Sequence, residues 1–154
     1  MNSYRTHTCS ELRAANIGKP TTLIGWVDSV RDHGGVIFID LRDRSGITQV
    51  VFHPEVNQDV AKASQQLRSE DMIQISGTVA ARLKTDTVDT TNADLPTGEI
   101  EVSADTLNVI NKADVLPFQL DRALSNEDLR LKYRFLDLRR PSMQRNLKLR
   151  SQMS

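Results

Sequence analysis

Apolar and polar residues alternate along Val36–Arg42. Ile37, Ile39 and Leu41 face one way; Val36, Phe38, Asp40 and Arg42 face the other. That period predicts a strand with one face on a core. Asp32-His33-Gly34-Gly35 precedes it and Asp43-Arg44-Ser45-Gly46 follows. Both are turn signals, because Gly adopts positive φ and Asp caps its own turn. β-Branched and aromatic runs on either side predict two partner strands, over Thr21–Val30 and Ile47–Phe52. Trp26, in the first of these, is expected to anchor the core.

Beyond His53-Pro54 the period changes. Val60, Ala63 and Leu67 share one helical stripe, which predicts a helix over Val56–Leu67. Met72–Ala81 reads as a fourth strand, with Gly77 marking a bend or bulge. A polar loop from Arg82 to Gly98 leads to a last, interrupted strand over Glu99–Val102 and Thr106–Ile110. Upstream, Ser10 is placed to cap a short helix of Glu11–Asn16, which Gly18 ends. The order is three strands, a helix, then two strands. It predicts an all-β domain with short helices, the OB-fold, a five-stranded antiparallel barrel. An SH3-like barrel is the competitor, and the inserted helix argues against it.

Residues 1–111 would form this domain. Residues 112–132 read as a hinge or linker, since Leu116-Pro117 forbids regular helix there and Asn126 can cap only a short turn. From Tyr133, YRFLDLRR leads into Pro141 and a helical pattern with Met143, Leu147 and Arg150. That helix has too few apolar partners to stand alone. Residues 133–154 are therefore expected to open a second, truncated domain.

The outer face of the central strand carries the candidate chemistry. Phe38 lies among charges, with Arg31 and Gln49 within reach on neighbouring strands. An exposed aromatic can stack on an unpaired base while Arg and Gln bond its edge. The alternative is that Phe38 is core and Arg31 a solvated charge, since a one-residue slip in register exchanges the faces. Both readings stand on the pattern alone.

Charge narrows the first reading. The 154 residues hold 20 Lys and Arg against 20 Asp and Glu, a formal net charge of 0. A domain gripping nucleic acid through phosphates alone would be basic, so recognition through a few bases fits better. The balance is uneven: Arg130–Arg150 holds eight basic residues and one acid, and Lys84–Asp105 one Lys and six acids. The single cysteine excludes an internal disulfide, and three scattered histidines lack metal-ligand spacing. No apolar run is long enough to span a membrane. These features point to a cytoplasmic compartment, or to an organellar matrix after removal of a transit peptide.

Several segments, in order and at matching separations, resemble the N-terminal region of bacterial or organellar aspartyl-tRNA synthetases, class II enzymes. They are RTHTCSELR, GWVDSVRDHGGVIFIDLRDRSGITQVVF, IQISGTV, TGEIEV, NKADVLPF and RLKYRFLDLRRPSMQRNLKLRSQM. The resemblance implies an anticodon-binding OB-fold. Phe38 would stack on the middle anticodon base of aspartate tRNA, Gln49 would read a base edge, and Arg31 would assist. Glu99 would recognise the first base. Arg82 would meet the third base or a phosphate, while Ala80 stands where relatives often carry another Arg. Relatives with Asp-His-Gly-Gly at this turn include enzymes that accept asparagine tRNA as well, so the resemblance places His33 beside third-base discrimination.

The family attaches aspartate to tRNA with ATP and Mg2+, and its catalytic motifs lie beyond Ser154. No catalytic residue and no cofactor are therefore assigned to this segment. The parent is expected to be a homodimer and the segment a monomer. An asparaginyl enzyme and a free-standing OB-fold RNA-binding module are the alternatives.

Overall fold

The computed structural model describes residues 4–120 and 126–153. Residues 121–125 of the expected linker, and 1–3 of the lead-in, lie outside them. The chain divides into two compact units, Met1–Ala113 and Asp114–Ser154.

The first unit is a closed barrel. Its strands are Pro20–His33 (β1), Val36–Arg42 (β2), Ile47–Phe52 (β3), Met72–Ala81 (β4) and Ile100–Asn111 (β5). They close in the order β1-β2-β3-β5-β4, which is the OB-fold. One detail departs from the expectation of an antiparallel barrel: β3 and β5 run parallel, pairing Val50 with Val102 and Val51 with Ser103. A ring with an odd number of strands cannot alternate direction all the way round, so one pair must be parallel.

β1 is long enough to pair with β2 through its second half and with β4 through its first. The register shift between Val27 and Ser29 leaves Asp28 as an extra residue. Such a bulge sharpens the coil a barrel needs. Leu23, Val27, Ile37, Ile39, Leu41, Val50, Phe52, Ile73, Ile75, Ile100 and Val102 fill the interior. They are the alternate residues of their strands, so the inner face of β2 is the one its pattern predicted.

Trp26 is not in this core. It is half-buried on the outer face, paired with Met72 and Arg42. The period of two decides this: Leu23, Gly25 and Val27 point inward, so Trp26 must point out.

The helical segments are shorter than their apolar periods suggest. The helix α1 spans Gln58–Ser64, and Asn57 caps it, its side-chain oxygen accepting from the N–H groups of Asp59 and Val60 at 3.2 Å each. Asn57 also donates to the Asp105 carbonyl at 3.2 Å, tying the helix to β5. Asn57→Ala should cost about 1 kcal/mol, seen as a lower urea midpoint at unchanged slope. Near the N-terminus only a 3₁₀ turn, Ala14–Asn16, forms, with Arg13 rather than Ser10 at its start. Glu11 instead accepts from the Thr8 N–H. The last strand is continuous, not interrupted: Asp105 bulges out between Ala104, opposite Gly77, and Thr106, opposite Ser76.

The second unit has short helices Glu127–Lys132 (α2) and Arg134–Asp137 (α3), then Pro141–Met153 (α4). Phe118, Leu120 and Leu136 form a small core with Leu116, Leu129 and Tyr133. Asp137, the one acid of the Arg130–Arg150 stretch, is fully buried and collects Arg130 at 2.8 Å, Arg134 at 2.7 Å and Arg140 at 3.8 Å. The hydrogen bond from Arg130 is the main cause holding its carboxyl below the usual range, against the opposing effect of burial. α4 buries no side chain. No helix among the described residues is long and apolar enough to cross a membrane.

Candidate nucleic-acid interface

The sequence pattern placed the candidate platform on the outer face of β1, β2 and β3, and the structure extends that face onto β5. Register aligns the side chains in two ranks. Arg31, Phe38, Val51 and Ser103 form one; Ser29, Asp40, Gln49 and, by strand parity, Glu101 form the other. Phe38 is half-buried on this face and is absent from the core. The β1–β2 turn carries positive φ at both Gly34 and Gly35, 63° and 91°, the signature of a type I′ hairpin whose twist suits the strands. Asp32 steadies it by accepting from the Gly35 N–H at 2.9 Å. This tight turn brings His33 back over β2, where its ring meets Phe38 edge-on with centroids 5.4 Å apart and planes at 77°.

A hydrogen-bonded chain crosses the second rank. The Ser29 hydroxyl donates to Asp40 Oδ2 at 2.6 Å. Arg31 Nη2 donates to Asp40 Oδ1 at 3.1 Å and to Gln49 Oε1 at 3.3 Å. Gln49 Nε2 donates to Glu101 Oε2 at 2.8 Å. Four strands thus contribute to one network beside an aromatic ring. Gln49 is only 6% exposed, whereas Arg31 is exposed.

Arg31, His33, Phe38 and Gln49 are therefore brought together. Arg82 and Glu99 sit differently. Arg82 is 7% exposed, with Nε donating to the Ile100 carbonyl at 3.0 Å and Nη1 to the Thr90 carbonyl at 3.3 Å. It pins the loop of residues 83–98 to the barrel, and its Nη2 is buried with no hydrogen-bond partner among the described residues. Burial pushes its pKa down, and the charges of Asp40 and Glu101 offset only part of that fall. Glu99 is exposed just before β5, and its carbonyl accepts from the Arg82 N–H at 3.0 Å.

Asp40 and Glu101 are members of the network that the sequence reading did not single out as site residues. Strand parity could have found Glu101, since Ile100 and Val102 on either side of it are buried.

A family model described as the OB-fold nucleic acid binding domain, tRNA_anti-codon, matches residues 21–110, more than half of the chain. The chain belongs to this family. The matched OB-fold stretch runs from β1 to β5 and includes every residue of the network. The chain is 49% identical over 154 residues to the aspartate–tRNA(Asp/Asn) ligase of Methylacidiphilum infernorum, covering 100% of this chain and 25% of that protein. To the ligase of the same name from Desulfotalea psychrophila it is 54% identical over 147 residues, covering 95% and 24%. It thus spans about a quarter of the length of these curated relatives. Among solved structures, asparaginyl-tRNA synthetase from Pyrococcus horikoshii, complexed with asparaginyl-adenylate, superposes with a TM-score of 0.75 at 27% identity, covering 92% of this chain and 30% of that one.

Proposed function

We propose that this chain is the anticodon-reading part of an aspartate–tRNA ligase and binds the anticodon loop of aspartate tRNA on the β1–β2–β3–β5 face. The observation that carries this reading is Phe38, an aromatic on the outer face with Arg31 and Gln49 beside it. Phe38 stacks on the middle base, and Gln49 and Arg31 bond its edge. Glu99 accepts from the first base, a guanine rich in N–H donors. Arg82, with an orphaned Nη2, donates to the third base or a phosphate once the loop over it shifts. Asp40, Glu99 and Glu101 repel phosphate that is not held by a stacked base, which suits a neutral chain that must select.

The relatives named for both tRNAs support a further step: this chain also accepts the asparagine anticodon, which differs from the aspartate one only at the third base. His33, packed on Phe38, stands beside that choice. Their identity, near 50%, favours the aspartate reading over the asparaginyl one, for which the Pyrococcus horikoshii structure offers 27%. The whole protein would join aspartate to tRNA with ATP and Mg2+ as a cytoplasmic homodimer.

Titration with a fluorescent anticodon stem-loop bearing guanine-uracil-cytosine tests the reading. Phe38→Ala should weaken binding by about 1–3 kcal/mol while the melting temperature stays near that of the parent chain. Equal affinity for loops with the middle base changed, or an unfolded Phe38→Ala chain, would remove the platform. A change of the third base to uracil should cost little in the parent chain.

A further inference from the structure

β1 turns its side chains over partway along. Leu23 and Val27 point into the barrel, and an unbroken strand would send Ser29 and Arg31 inward after them. The extra residue at Asp28 reverses the count: Val27 pairs with Leu41, Ser29 with Asp40, Val30 with Ile39 and Arg31 with Phe38. Val30 therefore packs against the core, and Ser29 and Arg31 stand on the platform face. The place of the bulge decides which residues of β1 the platform receives. One step nearer the turn, the extra residue would be Ser29, and Asp28 would stand opposite Asp40. Facing carboxylates repel. Asp40 would also lose the Ser29 hydroxyl, which donates to it at 2.6 Å while it holds Arg31 at 3.1 Å.

Two residues at the open end of the β1–β2 hairpin hold the bulge at Asp28. Arg42 Nη1 donates to Asp28 Oδ1, and Arg42 Nη2 donates to Glu70 Oε1. The Glu70 side chain is only 4% exposed. Its N–H donates to the Val27 carbonyl at 2.7 Å, and the Val27 N–H donates to the Asp71 carbonyl at 2.9 Å. The loop before β4 thus grips the residue before the bulge through its backbone, and the bulged residue through Arg42. Glu70 has a φ of 71°, the one positive value outside glycine among the described residues. Gly or Asn would sit there with less strain. A strained residue persists where its surroundings over-determine it, and the ion pair with Arg42 is the reason for a carboxylate at that position.

We propose that Arg42 and Glu70 are positioning residues for the platform: they pin the β1 bulge at Asp28 and so keep Ser29 on Asp40 and Arg31 beside Phe38. They act on a bound base through β1. Pinning the bulge orders this part of the face before RNA arrives, which lowers the ordering cost of binding. The inference rests on the proposed anticodon reading, and it extends control of that face to the loop of residues 68–71.

The test titrates the guanine-uracil-cytosine stem-loop against the parent chain, Glu70→Gln, Arg42→Met, Arg31→Ala, Phe38→Ala, and each of the first two combined with Arg31→Ala. Glu70→Gln removes a negative charge, so charge alone would tighten RNA binding. A displaced bulge gives the opposite sign, a loss of about fivefold. Arg42→Met should lose at least as much, since Asp28 and Glu70 both lose their shared partner. In the Arg31→Ala background each further loss should shrink below about twofold, because the clamp acts through the group to which Arg31 belongs. If Arg42→Met does not fold, Glu70→Gln decides alone. A parent chain that binds through Phe38, with variants that lower the urea midpoint and leave affinity unchanged, overturns the clamp and leaves the anticodon reading standing. So does tighter binding by Glu70→Gln, or a loss undiminished by Arg31→Ala. Failure of the parent chain to bind, or binding indifferent to Phe38→Ala, overturns the anticodon reading and the clamp with it.

Discussion

Gly77→Ala is expected to destabilise the barrel by about 3 kcal/mol or more, read as a fall in urea midpoint. Gly77 lies on β4 where β5 bulges at Asp105. A Cβ there would sit 2.0 Å from the Ser103 carbonyl oxygen and 2.8 Å from the Ala104 Cα. Both are backbone atoms of a paired strand, so neither can swing away as a side chain would. β4 and β5 would have to separate, and the pairs that flank the bulge would be lost with them. Gly34 provides the contrast. Its φ is 63°, but a Cβ would meet nothing within 4 Å. Asn, which tolerates that backbone region, should replace it with little loss. A Gly77→Ala chain with the parent midpoint would mean that the bulge has slack and that the close approach is unimportant.

The pair of glycines shows what a sequence can and cannot convey. Gly34-Gly35 between two alternating runs is a local signal, and the hairpin is where it points. Gly77 inside a strand pattern also signals a bulge, but its partner at Asp105 is 28 positions away, and the apolar pattern of the last strand reads as a break instead. The inner face of β2 was legible because Ile37, Ile39 and Leu41 alternate without exception. Trp26 lies on the outer face because parity along β1, with Leu23, Gly25 and Val27 inward, decides its side. α1 is shorter than Val56–Leu67 because an apolar stripe does not reveal where Asn57 caps.

The candidate site divides in the same way. Arg31, Phe38 and Gln49 belong to adjacent strands joined by short turns, so their meeting follows from the hairpin register. Glu101 arrives from β5 through the one parallel pairing of the ring. That pairing is a consequence of closure and has no local signature. The burial of Arg82 follows from the fold of the 83–98 loop, where a Lys84–Asp89 bridge and Thr90 shape a small hairpin. A polar composition alone does not encode it.

Asp43→Asn should cost about 3 kcal/mol at neutral pH, with a penalty that shrinks in acid. Asp43 is a nearly buried carboxylate in the β2–β3 turn. Its Oδ1 accepts from the Ser45 N–H at 2.7 Å and the Gly46 N–H at 3.1 Å, and from the Ser45 hydroxyl. Its Oδ2 accepts from the Cys9 N–H at 2.9 Å, and Arg5 approaches that oxygen to 3.5 Å. One side chain therefore closes the turn and fastens the N-terminal segment to it. The Thr48 hydroxyl completes the tie by donating to the Cys9 carbonyl at 2.8 Å. Asn can keep the turn bonds through its oxygen, but its NH2 would then face the Cys9 N–H, donor against donor. Burial alone would raise the carboxyl pKa, but the hydrogen bonds from Ser45, Cys9 and Gly46 outweigh it and the pKa is lowered. A lowered carboxyl contributes stability that is fully present above the unfolded-state value of about 3.9. That contribution disappears as pH falls through the folded value. The gap in urea midpoint between the parent chain and Asp43→Asn should thus be constant from pH 7 to about pH 5 and close below about pH 4. A gap independent of pH would mean that the carboxylate charge is irrelevant and that Asn fails for steric reasons. No gap at any pH would mean that the Cys9 tie does not hold the N-terminal segment to the barrel.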